Sequence, residues 1–273
     1  MGSIRLTDIR RYPVKSCRGE HLGSAQVEPW GLLGDRRWML IDPAGEVVTA
    51  REANRLVLVT PQLTEHGLRL SAPGMIDVEV TRPTDAPLVN VEIWDDRLVA
   101  RVADQQATGW LSKAIGRPLR LVYLDDPHRR PVDPRYAEPG DVVSFADGYP
   151  LLLAAEESLA QLNAWIAEGH HAGDGPLPMT RFRPSLVIRG AEPFAEDTWT
   201  RIRVGEVAFR VVKPCARCVL TTVDPDTAVR TKEPLVTLAR HRRFDNKLLF
   251  AMNVIPEAPY GVVRIGDQVE VLA

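Results

Sequence analysis

The chain has 273 residues and a formal net charge of −2, which argues against a general nucleic-acid binder. Hydrophobic residues make up 45% and charged residues 26%, a balance typical of a globular protein with a sizeable core rather than of a disordered chain. Three cysteines exclude a disulfide scaffold, and without a transmembrane-length apolar run or a signal-peptide pattern we expect a cytoplasmic protein that does not bind membranes.

Short strand-like runs separated by turn residues dominate the first 124 residues. Eight of them precede the first helix, at residues 4–11, 37–41, 46–50, 56–59, 68–70, 78–80, 91–94 and 98–102. Apolar residues spaced from Ala107 to Ile115 predict a helix, with Asp104 as its N-cap and Gly116 at its end. A further strand is expected at residues 119–124. This pattern favours a β-barrel or sandwich over alternating βαβ units.

A proline-rich polar segment, residues 125–140, follows these strands. Proline supplies no backbone donor to a strand ladder or a helix, so we expect a crossover here, between β-rich halves at residues 1–124 and 141–273. In the second half we expect a helix from Ala155 to near Gly169, a short helix at residues 234–241, and strands at residues 186–188, 207–212, 219–223, 248–254 and 262–272. The fold class predicted is β-rich α+β. Four tryptophans are expected to pack in the core: Trp38, Trp94, Trp110 and Trp165.

The densest group of reactive side chains includes Cys215 and Cys218, which form a Cys-x-x-Cys pair. A structural zinc site needs about four ligands, and only Cys17 remains. A thioredoxin-type dithiol has its first Cys at a helix N-terminus, whereas here the second Cys leads into a predicted strand. Two alternatives stay open from the residues alone. One is a single thiolate, Cys218, that binds a soft metal beside cations, and the other is two buried thiols that pack as small hydrophobes.

Four turns at strand edges carry basic side chains. They lie at residues 12–16, 35–38, 181–184 and 213–217. Arginine suits a phosphate through its bidentate fork, and lysine suits it as a point charge. Most such residues are solvated or form weak surface ion pairs. Four basic turns in a chain of balanced charge nevertheless favour an anionic ligand.

Five stretches of sequence carry a resemblance to a known family. They are residues 12–17 (YPVKSC), 34–38 (GDRRW), 48–51 (VTAR) with 55–57 (RLV), 181–184 (RFRP), and 215–227 (CARCVLTTVDPDT) with 232–235 (KEPL). Together they resemble MOSC proteins with an N-terminal MOSC β-barrel domain, as in the mitochondrial amidoxime-reducing components and their bacterial homologues. The resemblance implies an N-terminal MOSC β-barrel domain at residues 1–124 and a MOSC domain at residues 141–273.

The resemblance also implies a molybdenum cofactor and a set of residues that hold it. Cys218 takes the position of the molybdenum ligand and the catalytic residue. The implied cofactor-binding residues are Lys15, Ser16, Arg36, Arg183, Ser185, Ala216, Arg217, Cys218 and Asn253. Two positions depart from the family pattern, because Ser185 stands where relatives often have Asn, and Ala155 where they have a cofactor-contacting Ser. Asp147 or Thr180 could offset the missing hydroxyl.

The activity implied is the reduction of N-hydroxylated compounds such as amidoximes, hydroxylamines and N-hydroxylated bases. Electrons are expected from a separate protein of the ferredoxin, flavodoxin or cytochrome b5 type with its reductase, because no flavin, haem or cluster motif is visible in the chain. The alternative is a carrier of the cofactor, or a sulfur-handling MOSC protein, without turnover of its own.

Overall fold

The computed structural model describes residues 3–273 and contains, within them, 19 strands and three α-helices. The strands are β1 (Arg5–Arg11), β2 (Glu20–Leu22), β3 (Ser24–Glu28), β4 (Gly31–Leu32), β5 (Trp38–Ile41), β6 (Thr60–Leu63), β7 (Gly67–Ser71), β8 (Val78–Thr81), β9 (Leu88–Ile93), β10 (Asp96–Val102), β11 (Arg120–Tyr123), β12 (Leu151–Ala155), β13 (Leu186–Arg189), β14 (Arg201–Val204), β15 (Val207–Ala216), β16 (Arg243–Phe244), β17 (Lys247–Pro256), β18 (Val262–Arg264) and β19 (Val269–Val271). The helices are α1 (Gln105–Ile115), α2 (Glu156–Ala167) and α3 (Leu235–His241). The chain is therefore a β-rich α+β protein, as predicted.

The largest sheet joins the two ends of the chain. Its strand order is β19-β14-β15-β17-β12-β13-β1-β2, with β16 paired to β17. Strand β1 pairs antiparallel with β13, about 180 residues later in the chain, with Leu6 opposite Ile188. The pair β12–β13 is parallel. A core cluster on this sheet combines Leu6 and Ile9 of β1 with residues of the C-terminal strands such as Leu153 and Val254.

The N-terminal half also contains a second sheet, β5-β11-β10-β9, and a small sheet, β6-β7-β8, and it contributes β3 and β4 to the sheet β18-β3-β4. Helix α1 packs against this half and has the predicted ends. The Asp104 side chain accepts a hydrogen bond from the Ala107 N–H at 2.8 Å, and Gly116 adopts the left-handed conformation with φ of 85°. Helices α2 and α3 also agree with the predicted helices in position.

Three predicted strands are wrong, and the strand predicted at residues 262–272 is two short strands, β18 and β19, that belong to different sheets. Residues 56–59 lie in or next to a 3₁₀ helix, Asn54–Leu58, and residues 219–223 in or next to another, Val219–Thr222. In the second case the hydroxyls of Thr221 and Thr222 donate to the carbonyls of Cys218 and Val219, at 2.9 and 2.7 Å, so local side-chain bonds replace a ladder. Residues 46–50 make single bridges with neighbouring strands instead of a continuous ladder.

Truncating Leu6 tests the contribution of the N-terminal strand to the main sheet. Leu6 is fully buried in the core of that sheet, so Leu6→Ala is expected to lower the free energy of unfolding by about 2–5 kcal/mol. Urea denaturation measures the change. The control is Arg5→Ala, one residue earlier on the exposed side of β1. Equal stability of the two variants would contradict the role assigned to this strand.

Candidate active site

One cavity gathers basic turns from both halves of the chain. It is lined by Lys15, Ser16, Arg36, Phe145, Ala146, Asp147, Gly148, Tyr149, Pro150, Leu151, Leu152, Phe182, Arg183, Cys215, Ala216, Arg217, Cys218, Leu220 and Asn253. The turn after β1 supplies the first two of these residues, and the end of β15 supplies the Cys-x-x-Cys segment. The pairing of β1 with β13 brings the N-terminal turn to the main sheet, close to the turn that carries Arg183.

Three polar residues of this wall have an unusual backbone conformation. Ser16, Arg36 and Arg183 have φ values of 68°, 46° and 56°, in the left-handed region that residues other than glycine seldom occupy. Such a conformation costs on the order of 1–3 kcal/mol per residue and persists only where surrounding contacts hold it. Its recurrence at three positions around one cavity indicates that the turns are shaped for a ligand.

Tyr12 organises two of the arginines. The Cζ atoms of Arg36 and Arg183 lie 4.3 and 4.2 Å from the centre of its ring. The Tyr12 ring lies so close to Gly19 that a Cβ there would be 2.4 Å from a ring carbon. Arg36 also pairs with the buried carboxylate of Asp35 at 2.5 Å, and that carboxylate accepts the Tyr12 N–H at 2.7 Å. Both guanidinium groups are thus held in place.

Lys15 and Asp147 form an ion pair at the cavity wall. The lysine is 4% exposed, and its ammonium donates to Asp147 and to the Phe145 carbonyl. Burial lowers the pKa of Lys15 to about 8, although the carboxylate of Asp147 opposes the shift. Burial acts to raise the pKa of Asp147, but Lys15 and Arg51 outweigh it and hold that pKa well below its usual range. Asp147 is therefore ionised at neutral pH and shared by two cations.

The three thiols differ in environment. Cys17 is fully buried outside the cavity, and burial raises its pKa to about 12. Cys215 and Cys218 are partly exposed and line the cavity. Arg217 donates to the Cys215 sulfur at 2.8 Å, and Arg51 donates to the Cys218 sulfur at 3.2 Å. The reading of Cys215 and Cys218 as two buried hydrophobic thiols is wrong.

Arg51 and Trp94 were not among the predicted site residues. The guanidinium of Arg51 lies 4.1 Å from the centre of the Trp94 ring and 3.0 Å from Asp147 Oδ2, while its Nε donates to Cys218. Trp94 is 41% exposed, so its expected place in the core is wrong. Its φ of 56° lies in the turn between β9 and β10, where a tryptophan is unusual. A sequence signal existed for Arg51, since it ends the VTAR stretch quoted above.

Two polar atoms of the cavity wall lack a hydrogen-bond partner among residues 3–273. They are Nε of Arg217 and the hydroxyl of Tyr149, both buried. Buried polar atoms are otherwise almost always paired, so these two call for a polar ligand. With Lys15, Arg36 and Arg183 on the same wall, the ligand that fits is an anion with many acceptors, and Cys218 adds a soft donor for a metal.

Eight of the nine predicted cofactor-binding residues line this cavity, and Ser185 lies behind its wall. The Ser185 side chain is fully buried, and its hydroxyl accepts from Arg36 at 3.3 Å. Ala155 is buried at the start of α2 and does not line the cavity, whereas Asp147 does. Thr180 lines a neighbouring cavity, not this one. Within residues 3–273 no cluster of three or more His, Cys, Asp or Glu side chains is arranged around a metal position.

The family models match nearly the whole chain. Residues 3–118 match the MOSC N-terminal beta barrel domain, and residues 140–270 match the MOSC domain. The chain therefore belongs to the MOSC family, with both domains in the order expected. No helix in residues 3–273 has the length and apolar character needed to span a membrane.

Individual proteins are similar to the chain over 92% or more of its length. The chain is 35% identical to the human mitochondrial amidoxime-reducing component 1 over 96% of its length and 81% of the relative's. It is 32% identical to the human mitochondrial amidoxime reducing component 2, over 94% and 78%. It is 31% identical to a molybdenum cofactor sulfurase of Oryza sativa subsp. japonica, where the match covers 92% of this chain and 32% of that protein.

Thiol labelling tests the three cysteine environments. In native, cofactor-free protein at neutral pH, iodoacetamide is expected to alkylate Cys215 and Cys218 and to leave Cys17 unmodified, because Cys17 is buried and has a raised pKa. Peptide mass spectrometry identifies the modified residues, and the unfolded protein in urea serves as the control in which all three react. Equal labelling of Cys17 in the native state would contradict the structure.

The pKa of Lys15 predicts a pH dependence of stability. Between pH 8 and 10.5 the unfolded chain holds the proton of this lysine while the folded protein has lost it, so stability rises with pH across this window. Relative to Lys15→Met, the wild-type free energy of unfolding is expected to increase by at most about 1.4 kcal/mol per pH unit. Denaturant titrations at several pH values measure this difference. Lys113→Met, at an exposed position of α1, is the control and is expected to show no such rise.

Proposed function

We propose that this protein is a molybdenum cofactor-dependent oxidoreductase that reduces N-hydroxylated compounds. The observation that carries the proposal is the position of the Cys218 sulfur in a cavity walled by Lys15, Arg36, Arg183 and Arg217. Similarity to amidoxime-reducing components over most of the chain supports the choice of reaction.

The residues of the cavity match the parts of such a cofactor. The thiolate of Cys218 would be the protein's ligand to the metal, and the guanidinium groups of Arg36, Arg183 and Arg217 would bind the anionic pterin and its phosphate. Ser16 and Asn253 would donate or accept further hydrogen bonds there. When bound, the cofactor supplies two-electron redox chemistry, and the protein binds and orients it.

The overall reaction breaks one N–O bond. An N-hydroxylated substrate accepts two electrons and two protons, and the products are the reduced nitrogen compound and water. We propose that the electrons come from a separate protein of the ferredoxin, flavodoxin or cytochrome b5 type. Arg51 lies at the sulfur of Cys218, and its contacts with Asp147 and Trp94 fix the direction from which it donates to that sulfur.

A carrier or sulfur-handling role is the second candidate. The similarity to a molybdenum cofactor sulfurase favours it, although that similarity covers 32% of the plant protein. The second partly exposed thiol, Cys215, beside Cys218 suits transfer of sulfur. A carrier would release cofactor to an apo-enzyme and would show no turnover with benzamidoxime.

Metal and pterin content test the principal proposal. Protein purified from a host that makes the cofactor is expected to contain about one molybdenum and one pterin per chain and to reduce benzamidoxime with reduced methyl viologen. Cys218→Ser is expected to lose both molybdenum and activity, because a hydroxyl is a poor soft-metal ligand. Elemental analysis and amidine formation measure the two effects.

Cys17→Ala is the matched control, because that thiol is buried away from the cavity. It is expected to keep both the metal and the activity. A Cys218→Ser protein that retains molybdenum and turnover would refute the proposal. Wild-type protein that contains the cofactor, transfers it to an apo-enzyme and shows no turnover would favour the carrier role.

A further inference from the structure

A second concave surface adjoins the thiol and shares one side chain with it. This arginine groove has a volume of about 660 Å³ and is lined by Arg51, Glu52, Ala53, Asn54, Arg55, Ile115, Gly116, Arg117 and Arg230. Arg51 both lines the groove and donates to the sulfur of Cys218. The end of the groove formed by Arg51 therefore lies within the length of an arginine side chain from the Cys218 sulfur.

The groove has more positive charge than its contacts neutralise. The side chain of Arg55 is exposed and has no hydrogen-bond or ion-pair partner among residues 3–273. Arg230 donates to two neutral acceptors, the Arg51 carbonyl at 2.6 Å and Asn54 Oδ1 at 2.9 Å. Arg117 lies 3.6 Å from the carboxylate of Glu52, the single acidic residue of the lining. The groove therefore has an excess of positive charge, which favours the binding of an anion.

Its size favours a small ligand over a protein surface. Small-molecule sites have volumes of about 300–1,000 Å³, and this groove lies in that range. A stable protein interface involves about 20–30 residues on each side, far more than line the groove. The guanidinium group of arginine can donate two parallel hydrogen bonds to the oxygens of a phosphate. An apolar substrate would leave these donors without a partner.

We propose that the arginine groove is a phosphate subsite for the substrate, so that the protein acts on phosphorylated N-hydroxylated compounds such as N-hydroxylated nucleotides. This inference rests on the proposed function and names its substrate class. The N–OH group lies near Cys218, and the phosphate binds Arg55, Arg117 and Arg230. The reaction is unchanged: R–NH–OH, two electrons and two protons give R–NH₂ and water, and the phosphate is only bound.

The test compares N4-hydroxycytidine 5′-monophosphate with N4-hydroxycytidine, using reduced methyl viologen as reductant. Wild type is expected to have the higher kcat/KM for the nucleotide. Arg55→Gln and Arg117→Gln are each expected to lower that kcat/KM about tenfold, as expected for loss of a charged hydrogen bond, and to leave the nucleoside unaffected. Calorimetric binding of cytidine 5′-monophosphate to the purified protein should weaken by a similar factor in both variants.

Arg264→Gln, at an exposed position of β18 outside the groove, is the control and should change neither measurement. Equal kcat/KM of wild type for the two substrates, or an equal loss for both in the variants, would overturn the phosphate subsite. So would variants that change only the KM for reduced flavodoxin, because the groove would then be a donor surface. If cofactor-loaded wild type reduces benzamidoxime but neither cytidine derivative, the proposed substrate class is overturned and the proposed function stands. If it reduces none of the three compounds, the proposed function fails, and the binding of cytidine 5′-monophosphate alone decides whether the groove is a phosphate site.

Discussion

The repulsion among five cations around one cavity is the constraint on which the site depends. Lys15, Arg36, Arg183 and Arg217 line the cavity, and Arg51 lies beside it at the Cys218 sulfur. Two carboxylates, Asp35 and Asp147, neutralise three of these five cations. Arg183 and Arg217 have no carboxylate within ion-pair distance among residues 3–273. Uncompensated charges near low-dielectric walls are costly unless a ligand of opposite sign is present. A ligand that binds only the native state raises the free energy of unfolding. The anion that fits this cavity is therefore expected to stabilise the folded protein.

The aromatic residues explain how these cations keep their positions. Tyr12 holds Arg36 and Arg183, and Trp94 holds Arg51 with Lys15 5.3 Å from the same ring. A ring face attracts a guanidinium without neutralising its charge, unlike a carboxylate. Ion pairs to every arginine would fix the geometry equally well but would remove the positive potential that an anionic ligand needs. The aromatic contacts of the arginines and the small number of carboxylates therefore both preserve the positive potential of the cavity.

The sequence predicted which side chains line the cavity better than it predicted their detailed contacts. The motifs around Lys15, Arg36, Arg183 and Cys218 were sufficient to predict residues of one cavity, because each motif lies in a turn next to a recognisable strand. Trp94 was misplaced because an aromatic residue at the end of an alternating run is indistinguishable from a core residue until the hairpin turn is known. The run after Cys218 was misread because Thr221 and Thr222 satisfy nearby carbonyls, a local competition that β-propensity does not include. The entry of β1 into the main sheet is a pairing of distant segments, which no local pattern encodes.

That pairing has a consequence for synthesis of the protein on the ribosome. Strand β1 ends at Arg11, whereas its partner β13 begins at Leu186, so β1 leaves the ribosome well before its partner. Synthesis adds about 5–20 residues per second, so β1 and the turn with Lys15 are without the partner strand for roughly 10–40 s. During that interval its apolar face is uncovered and open to chaperones or to other nascent chains. The cavity can therefore assemble only after its last lining residue, Asn253, has been made.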